Sequence, residues 1–184
     1  MGRARLGRTN LDVSVASIGT GGFSRLGQEY GATAGESVRV LRAAMDEGID
    51  FIDTAADYRT EEIVAKAVAG RRNSVVIATR NQVYRKGTEP TGDELTASGE
   101  VDPADLDPGR PLGFMLDEPS VRSLADACYR FNRHTPGADV ILTSTGRIEH
   151  LRDNIASINS EPLPGPVLDR LHKIFGRVES VTAE

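Results

Sequence analysis

"GIDFIDTAADYRTEEIVAKAVAG", residues 48–70, carries the reading of the fold. Its first half is short and apolar, as a buried strand is, and its second half spaces apolar residues at the helical period. Thr60 stands where a helix N-cap belongs, Glu61 and Glu62 suit the positive end of a helix, and Gly70 suits its stop. Strand, turn and helix in so few residues predict a βα unit, with Asp53 and Tyr58 at the carboxyl end of the strand.

The same alternation extends outward. "VASIGTGGF" reads as an apolar strand ending in glycines, preceded by a β-hairpin in "RARLGRTNLDVSVAS". "TAGESVRVLRAAMDEG" opens with Thr33 and Glu36 at capping-box spacing and runs Val38, Leu41 and Met45 along one face to Gly48. "SVVIAT" is a third strand, continuous enough to suggest burial on both faces. Residues 81–118 then lose periodicity: glycines, prolines and acids dominate, with "DELTAS" as a stub of helix and "PLGFML" as a short extended piece. Order returns in "PSVRSLADACYRFNRH", a helix with Val121, Leu124, Cys128 and Phe131 on one face and Cys128 as a small buried residue. "ADVILTS" is a fourth strand, "RIEHLRDNIASIN" a helix, and "PGPVLDRLHKIF" a terminal helix. Four βα units with near-continuous apolar strands predict an α/β fold with parallel pairing, in a single domain over residues 1–184.

Composition narrows the partners. The chain has 184 residues, 39% hydrophobic and 27% charged, the usual balance of a globular domain. A net charge of −5 with scattered Lys and Arg argues against nucleic acid. The apolar runs fall short of a membrane span, and "MGRARLGRTN" lacks the apolar segment of a signal peptide. One cysteine cannot form an internal disulfide, which fits a reducing, cytoplasmic setting.

In parallel folds reactive residues gather at the carboxyl ends of strands. Asp53, Tyr58, Arg80 and the "GTGG" of residues 19–22 all follow strands, so they converge on one rim. A cation beside a phenol favours its ionised form and makes it a better proton donor. On that chemistry Tyr58 is the general acid, Arg80 the charge that tunes it, and Asp53 the orienting acid. The plainer alternative is a surface Tyr, a turn-capping Asp and a solvated Arg. "TSTGRIEHLRDN" offers a second site, where Ser144, Thr145, Gly146 and Arg147 lead into a helix whose free amides attract phosphate. His150 lies one turn further on; the alternative there is an ordinary Ser or Thr N-cap. "GTGG" lacks the spacing of a dinucleotide fingerprint. No residue is assigned to a metal.

These pieces, with "TEEIVAKAV", "VVIATR" and "PGADVILTSTGRIEHLRDNIASI", resemble in order the opening and closing blocks of the aldo-keto reductases, over roughly residues 3–98 and 108–181. The resemblance implies a (β/α)8-type barrel, NADPH as cofactor and a small-molecule carbonyl as substrate. It gives Asp53 and Tyr58 as two members of a catalytic tetrad, with Tyr58 as proton donor. Gly19 and Thr20 would lie beside the nicotinamide ribose, Ser144, Thr145, Gly146 and His150 along the adenosine phosphate, and Asp153 and Asn154 on the adenine.

The sequence departs from the family in equally definite ways. The family's Lys is Arg80 here, its His after strand 4 has no counterpart, and the residues that cradle the carboxamide and stack on the nicotinamide are missing. "DELTASGEVDPADLDPGRPLGF" bridges from the third unit to the seventh, so barrel strands 4 to 7 are deleted. The expected architecture is a half barrel with two unpaired edges, completed by a second copy in a homodimer or left as an open four-strand sheet covered partly by residues 81–118. The expected activity is impaired NADPH-dependent carbonyl reduction. A non-redox isomerase or cyclase using Asp53 and Tyr58, or a non-catalytic truncated relic, remains open on the residues alone.

Overall fold

The computed structural model describes residues 1–80, 107, 109–110 and 112–175. "DELTAS" lies outside them, as does most of the 81–118 connection.

An antiparallel hairpin of β1 (Arg3–Arg5) and β2 (Asp12–Ser14) precedes a four-strand parallel sheet. The sheet comprises β3 (Ala16–Gly19), β4 (Phe51–Ala55), β5 (Val76–Arg80) and β6 (Ile141–Thr143), in the spatial order β5-β4-β3-β6. Ile18 pairs with Ile52, Asp53 with Ala78, and Ser17 with Leu142. The last strand in sequence therefore closes beside the first of the sheet, as in a barrel from which the intervening strands are gone. About sixty residues separate β5 from β6, far fewer than four further βα units need. The fold is α/β, a partial (half) barrel of four parallel strands with an N-terminal β-hairpin, as the sequence predicts.

Among the described residues there are five α-helices: α1 (Ala34–Asp46), α2 (Glu61–Val68), α3 (Leu124–His134), α4 (Ile148–Ile158) and α5 (Gly165–Phe175). The helix α1 starts at a complete capping box: Thr33 accepts from the Glu36 amide, and Glu36 accepts from the Thr33 amide. Its buried face is Ser37, Val40, Leu41 and Ala44, so Leu41 faces the core as expected while Val38 and Met45 sit at its margin. The main core lies between the sheet's outer face and α1, α2 and α4, with Ile18, Ile52, Leu41, Ile63 and Leu151 almost wholly enclosed. A second cluster joins Met115, Val121, Ala127, Leu163 and Val167.

Several local expectations are corrected. "SVVIAT" is not buried on both faces: Val76, Ile77 and Ala78 are half-buried, because β5 is an edge of the sheet. "PLGFML" forms a 3-10 turn at Gly113–Met115, with Met115 buried. The helix α3 buries Asp126, Ala127 and Arg130, while Leu124 and Cys128 are exposed. Asp126 sits between Arg122 and Arg130, and Arg130 also donates to the carbonyls of Ser120, Glu161 and Pro162. That network turns the polar face inward.

The amino ends of the strands are secured by Asp50, which accepts from the Ser14 amide and from Arg3. Burial pushes its carboxyl up, but the Ser14 amide and the Arg3 guanidinium outweigh that and hold it below the usual carboxylate range. The carboxyl ends form the opposite rim, where the candidate site lies. No helix among the described residues is long and apolar enough to cross a membrane.

Candidate functional site

Two parts of the rim matter: the turn after β4 and the cleft between α1 and the start of α4. After Ala55 the chain makes a 3-10 turn, Ala56–Tyr58, and leaves it through Arg59 at φ 54°. Tyr58 is half-buried, with its ring flat against Gly21. A Cβ at Gly21 would stand 2.6 Å from two ring carbons, so only glycine admits the ring there. Asp53 lies one turn below on β4, where its carbonyl accepts from the Thr20 amide at 3.0 Å. Arg80 ends β5 in register with Ala55. The backbone thus delivers Asp53, Tyr58 and Arg80 to the same rim, from adjacent strands.

The first βα loop connects this turn to the cleft. The guanidinium of Arg25 donates to the Tyr58 carbonyl at 2.7 and 3.1 Å and pairs with Glu29 at 2.7 Å. Arg25 and Leu26 themselves have positive φ, a conformation that costs energy in non-glycine residues and is held here by the full burial of Leu26. Gly27 then meets Gly146 backbone to backbone; a Cβ on Gly146 would lie 2.4 Å from the Gly27 Cα. On the other side of Gly21, its carbonyl accepts from the Ser144 hydroxyl at 3.3 Å. Gly21 is therefore the joint between the Tyr58 turn and the segment that opens α4.

The cleft has a volume of about 990 Å³. One wall is Ser24, Gly27 and Tyr30 of the loop with Glu36 and Arg39 of α1, and the other is Ser144 to His150. Arg147 occupies the N-cap position of α4 without capping it through its side chain, and its own amide donates to the Thr145 hydroxyl at 3.1 Å. Neither Ser144 nor Thr145 is the cap, which leaves the first amides of α4 uncapped by the N-cap side chain. The Ser24 hydroxyl oxygen is buried and finds no hydrogen-bond partner. Helix amides left without a side-chain cap at the wall of a cleft fit a ligand rich in acceptor oxygens, such as a phosphate.

Of the residues expected along the cofactor, Ser144, Thr145, Gly146, Arg147 and His150 line this cleft. The others do not. Thr20 is fully buried, its hydroxyl bonded to Thr54 at 2.9 Å and Thr60 at 2.8 Å. The same triangle occupies Thr60, which stands at the N-cap of α2 without capping it. Gly19 lies beneath Leu142, and Asn154 donates inward to Thr143 at 2.8 Å. Asp153 is exposed beyond the cleft lining. Ser24, Arg25, Tyr30 and Arg39 are additions that periodicity does not reveal; "FSRLGQEYG" shows only a glycine-punctuated loop.

Residues 17–102 match the profile described as the Aldo/keto reductase family. The chain is 37% identical over 86 residues to the aldo-keto reductase YhdN of Bacillus subtilis (strain 168), a match covering 40% of this chain and 26% of that protein. It spans about a quarter of the length of the curated relatives it matches. The aldo-keto reductase AKR11C1 from Bacillus halodurans, in its apo form, superimposes with a TM-score of 0.59 at 14% identity, covering 100% of this chain and 98% of that one. A Bombyx mori aldo-keto reductase solved in complex with NADP is 23% identical over 44% of this chain and 27% of its own, with a TM-score of 0.37. Over residues 17–102 the chain is thus similar to the aldo-keto reductases, and the superposition with AKR11C1 shows a likeness of fold.

Proposed function

We propose that the protein is a cytoplasmic, homodimeric reductase that binds NADPH in the cleft and reduces a small-molecule carbonyl, with Tyr58 as proton donor and low efficiency. The observation that carries this reading is the shared joint at Gly21: Tyr58 packs on it and Ser144 bonds to it. A ligand held by the opening of α4 and a proton donor at the β4 turn are thereby fixed relative to one another.

Ser144, Thr145, Gly146, Arg147 and His150 would hold the phosphates of the dinucleotide, with Ser24 on the opposite wall of the cleft. When bound, NADPH supplies a hydride to the carbonyl carbon and becomes NADP+. The Tyr58 hydroxyl donates the proton that the carbonyl oxygen takes up, and Asp53 and Arg80 set the charge around it. Low efficiency follows from the rest of the rim. His134 bonds the Ser160 carbonyl, His172 stacks edge-on against Phe131, and His150 lines the cleft, so all three histidines are placed elsewhere. Loose positioning of the reacting groups is costly in rate.

Calorimetric titration with NADPH tests the binding half, with saturation expected in the micromolar range and at least a tenfold loss in Arg147→Glu. Tyr58→Phe is expected to retain binding and to lose at least about 100-fold in NADPH oxidation with an aldehyde. No heat at millimolar NADPH rejects the cofactor; undiminished turnover in Tyr58→Phe rejects the donor.

A further inference from the structure

Each connecting helix of a parallel sheet lies over the gap between the two strands it joins, because the crossover is right-handed. Here α1 joins β3 to β4 and α2 joins β4 to β5, while α4 follows β6 and packs on α1. Those three helices account for the three gaps in β5-β4-β3-β6. The fourth, α3, precedes β6 and packs on the far side of α4. Its Tyr129 hydroxyl bonds Thr143 on the outer face of β6 at 2.8 Å. The helix layer thus overhangs the sheet by one helix at the β6 edge. At the β5 edge it falls short by one: among the described residues nothing lies beyond α2, and Ile77 is only half-buried.

The overhang is apolar on the side it leaves open. Leu124, Ala125 and Cys128 are exposed along α3; Leu124 and Cys128 belong to the face that sequence periodicity assigns to a core, whose other members, Val121 and Phe131, pack in the second cluster. Leu142, on the inner face of β6, is 51% exposed. An apolar stripe above one strand edge and an apolar side chain below it describe a slot for one more strand. The strand that fits must be parallel, apolar on both faces and short of a helix on its own outer side. Among the described elements β5 has those properties.

We infer that the slot under α3 receives β5 of a second copy, with Leu124 and Cys128 covering the partner's strand from outside and Leu142 meeting it from inside. A twofold axis along the barrel makes the contact mutual, β5 to β6 and β6 to β5, and closes eight strands with no edge left. This deepens the homodimer reading above and rests on it. It also sets a second copy opposite the inner face of each half, where Phe51 and Asp53 lie.

The experiment uses the full chain with its single thiol as reporter. Light-scattering mass is measured at micromolar and at 100 μM protein, with the rate of Cys128 reaction with a disulfide reagent at each concentration. The expected result is twice the chain mass at high concentration, with Cys128 slowed at least tenfold relative to dilute protein. Leu142→Asp is expected to keep its helical circular dichroism and run as a monomer with a fast thiol at all concentrations. A wild-type monomer at 100 μM overturns both this inference and the homodimer reading. A dimer whose Cys128 reacts as fast as the monomer's, or one that survives Leu142→Asp, overturns the slot and leaves the dimer. NADPH binding is read separately, since one copy supplies every residue of the cleft.

Discussion

The two faces of the four-strand sheet are made by alternate residues of the same strands, and their larger side chains are covered unequally. On the outer face Ile18, Ile52 and Ile141 are sealed under helices. On the inner face Phe51, Asp53, Val76 and Ala78 are half-buried, and Leu142 is exposed. The outer face meets helices close to it in sequence, so it survives the loss of half a barrel. The inner face of a barrel is packed by strands from the other side, and none stands there among the described residues. Burial from neighbours in sequence is robust to deletion, whereas burial from distant strands is not.

Phe51 and Ile52 put that contrast on adjacent residues. Ile52→Ala leaves a cavity in the outer core and is expected to cost about 4 kcal/mol in denaturant unfolding. Phe51→Ala, on the open face, is expected to cost about 1 kcal/mol in dilute protein. Equal costs at low concentration would break the comparison. A Phe51→Ala cost that grows with protein concentration would sharpen it, because the inner face would then be packed by a second copy.

The buried ion pair of α3 is next in size. Asp126 is almost wholly enclosed; burial pushes its carboxyl up, but hydrogen bonds from Arg122 and Ser157 outweigh that and hold it below the usual range. A depressed folded pKa contributes stability that is present above the unfolded value and is lost as pH falls through the folded one. Asp126→Asn is expected to cost about 2 kcal/mol at pH 7. The difference from wild type should shrink below about pH 4. A cost that stays constant down to pH 2 would assign the effect to packing rather than to charge, and α3 would then be held like the rest of the outer layer.

The strands and helices were legible because β-branched runs ending in glycine or at a helix cap are local signals; their order in a half barrel followed from the resemblance to the aldo-keto reductases. Asp53 and Tyr58 were legible for the same reason, since a strand-to-helix turn is short. The buried side of α3 was not: periodicity registers apolar spacing, and it cannot register that Arg130 satisfies three carbonyls and so carries its face inward. Thr60 was legible as a cap position but not as a member of the Thr20–Thr54 triangle, which joins three separate segments. The near wall of the cleft was least legible. Arg25 and Leu26 adopt left-handed backbone that no residue type announces, and Leu26 is held there by burial.

The smallest effect belongs to the start of α1, where outer layer and cleft meet. Thr33 accepts from the Glu36 amide at 3.2 Å, and Glu36 returns to the Thr33 amide at 2.8 Å and its hydroxyl at 2.9 Å. The Thr33 amide, then its hydroxyl, hold the Glu36 carboxyl below its ordinary range. Thr33→Ala removes one of these partners and is expected to cost about 1 kcal/mol. The first turn of α1 also carries Glu36 and Arg39 into the cleft, so fraying there should weaken NADPH binding more than it weakens the fold. Thr33→Ser, which keeps the hydroxyl, should restore both. If Thr33→Ala lowers stability and leaves NADPH affinity untouched, α1 serves the outer core alone, and the cleft depends only on the wall that opens α4.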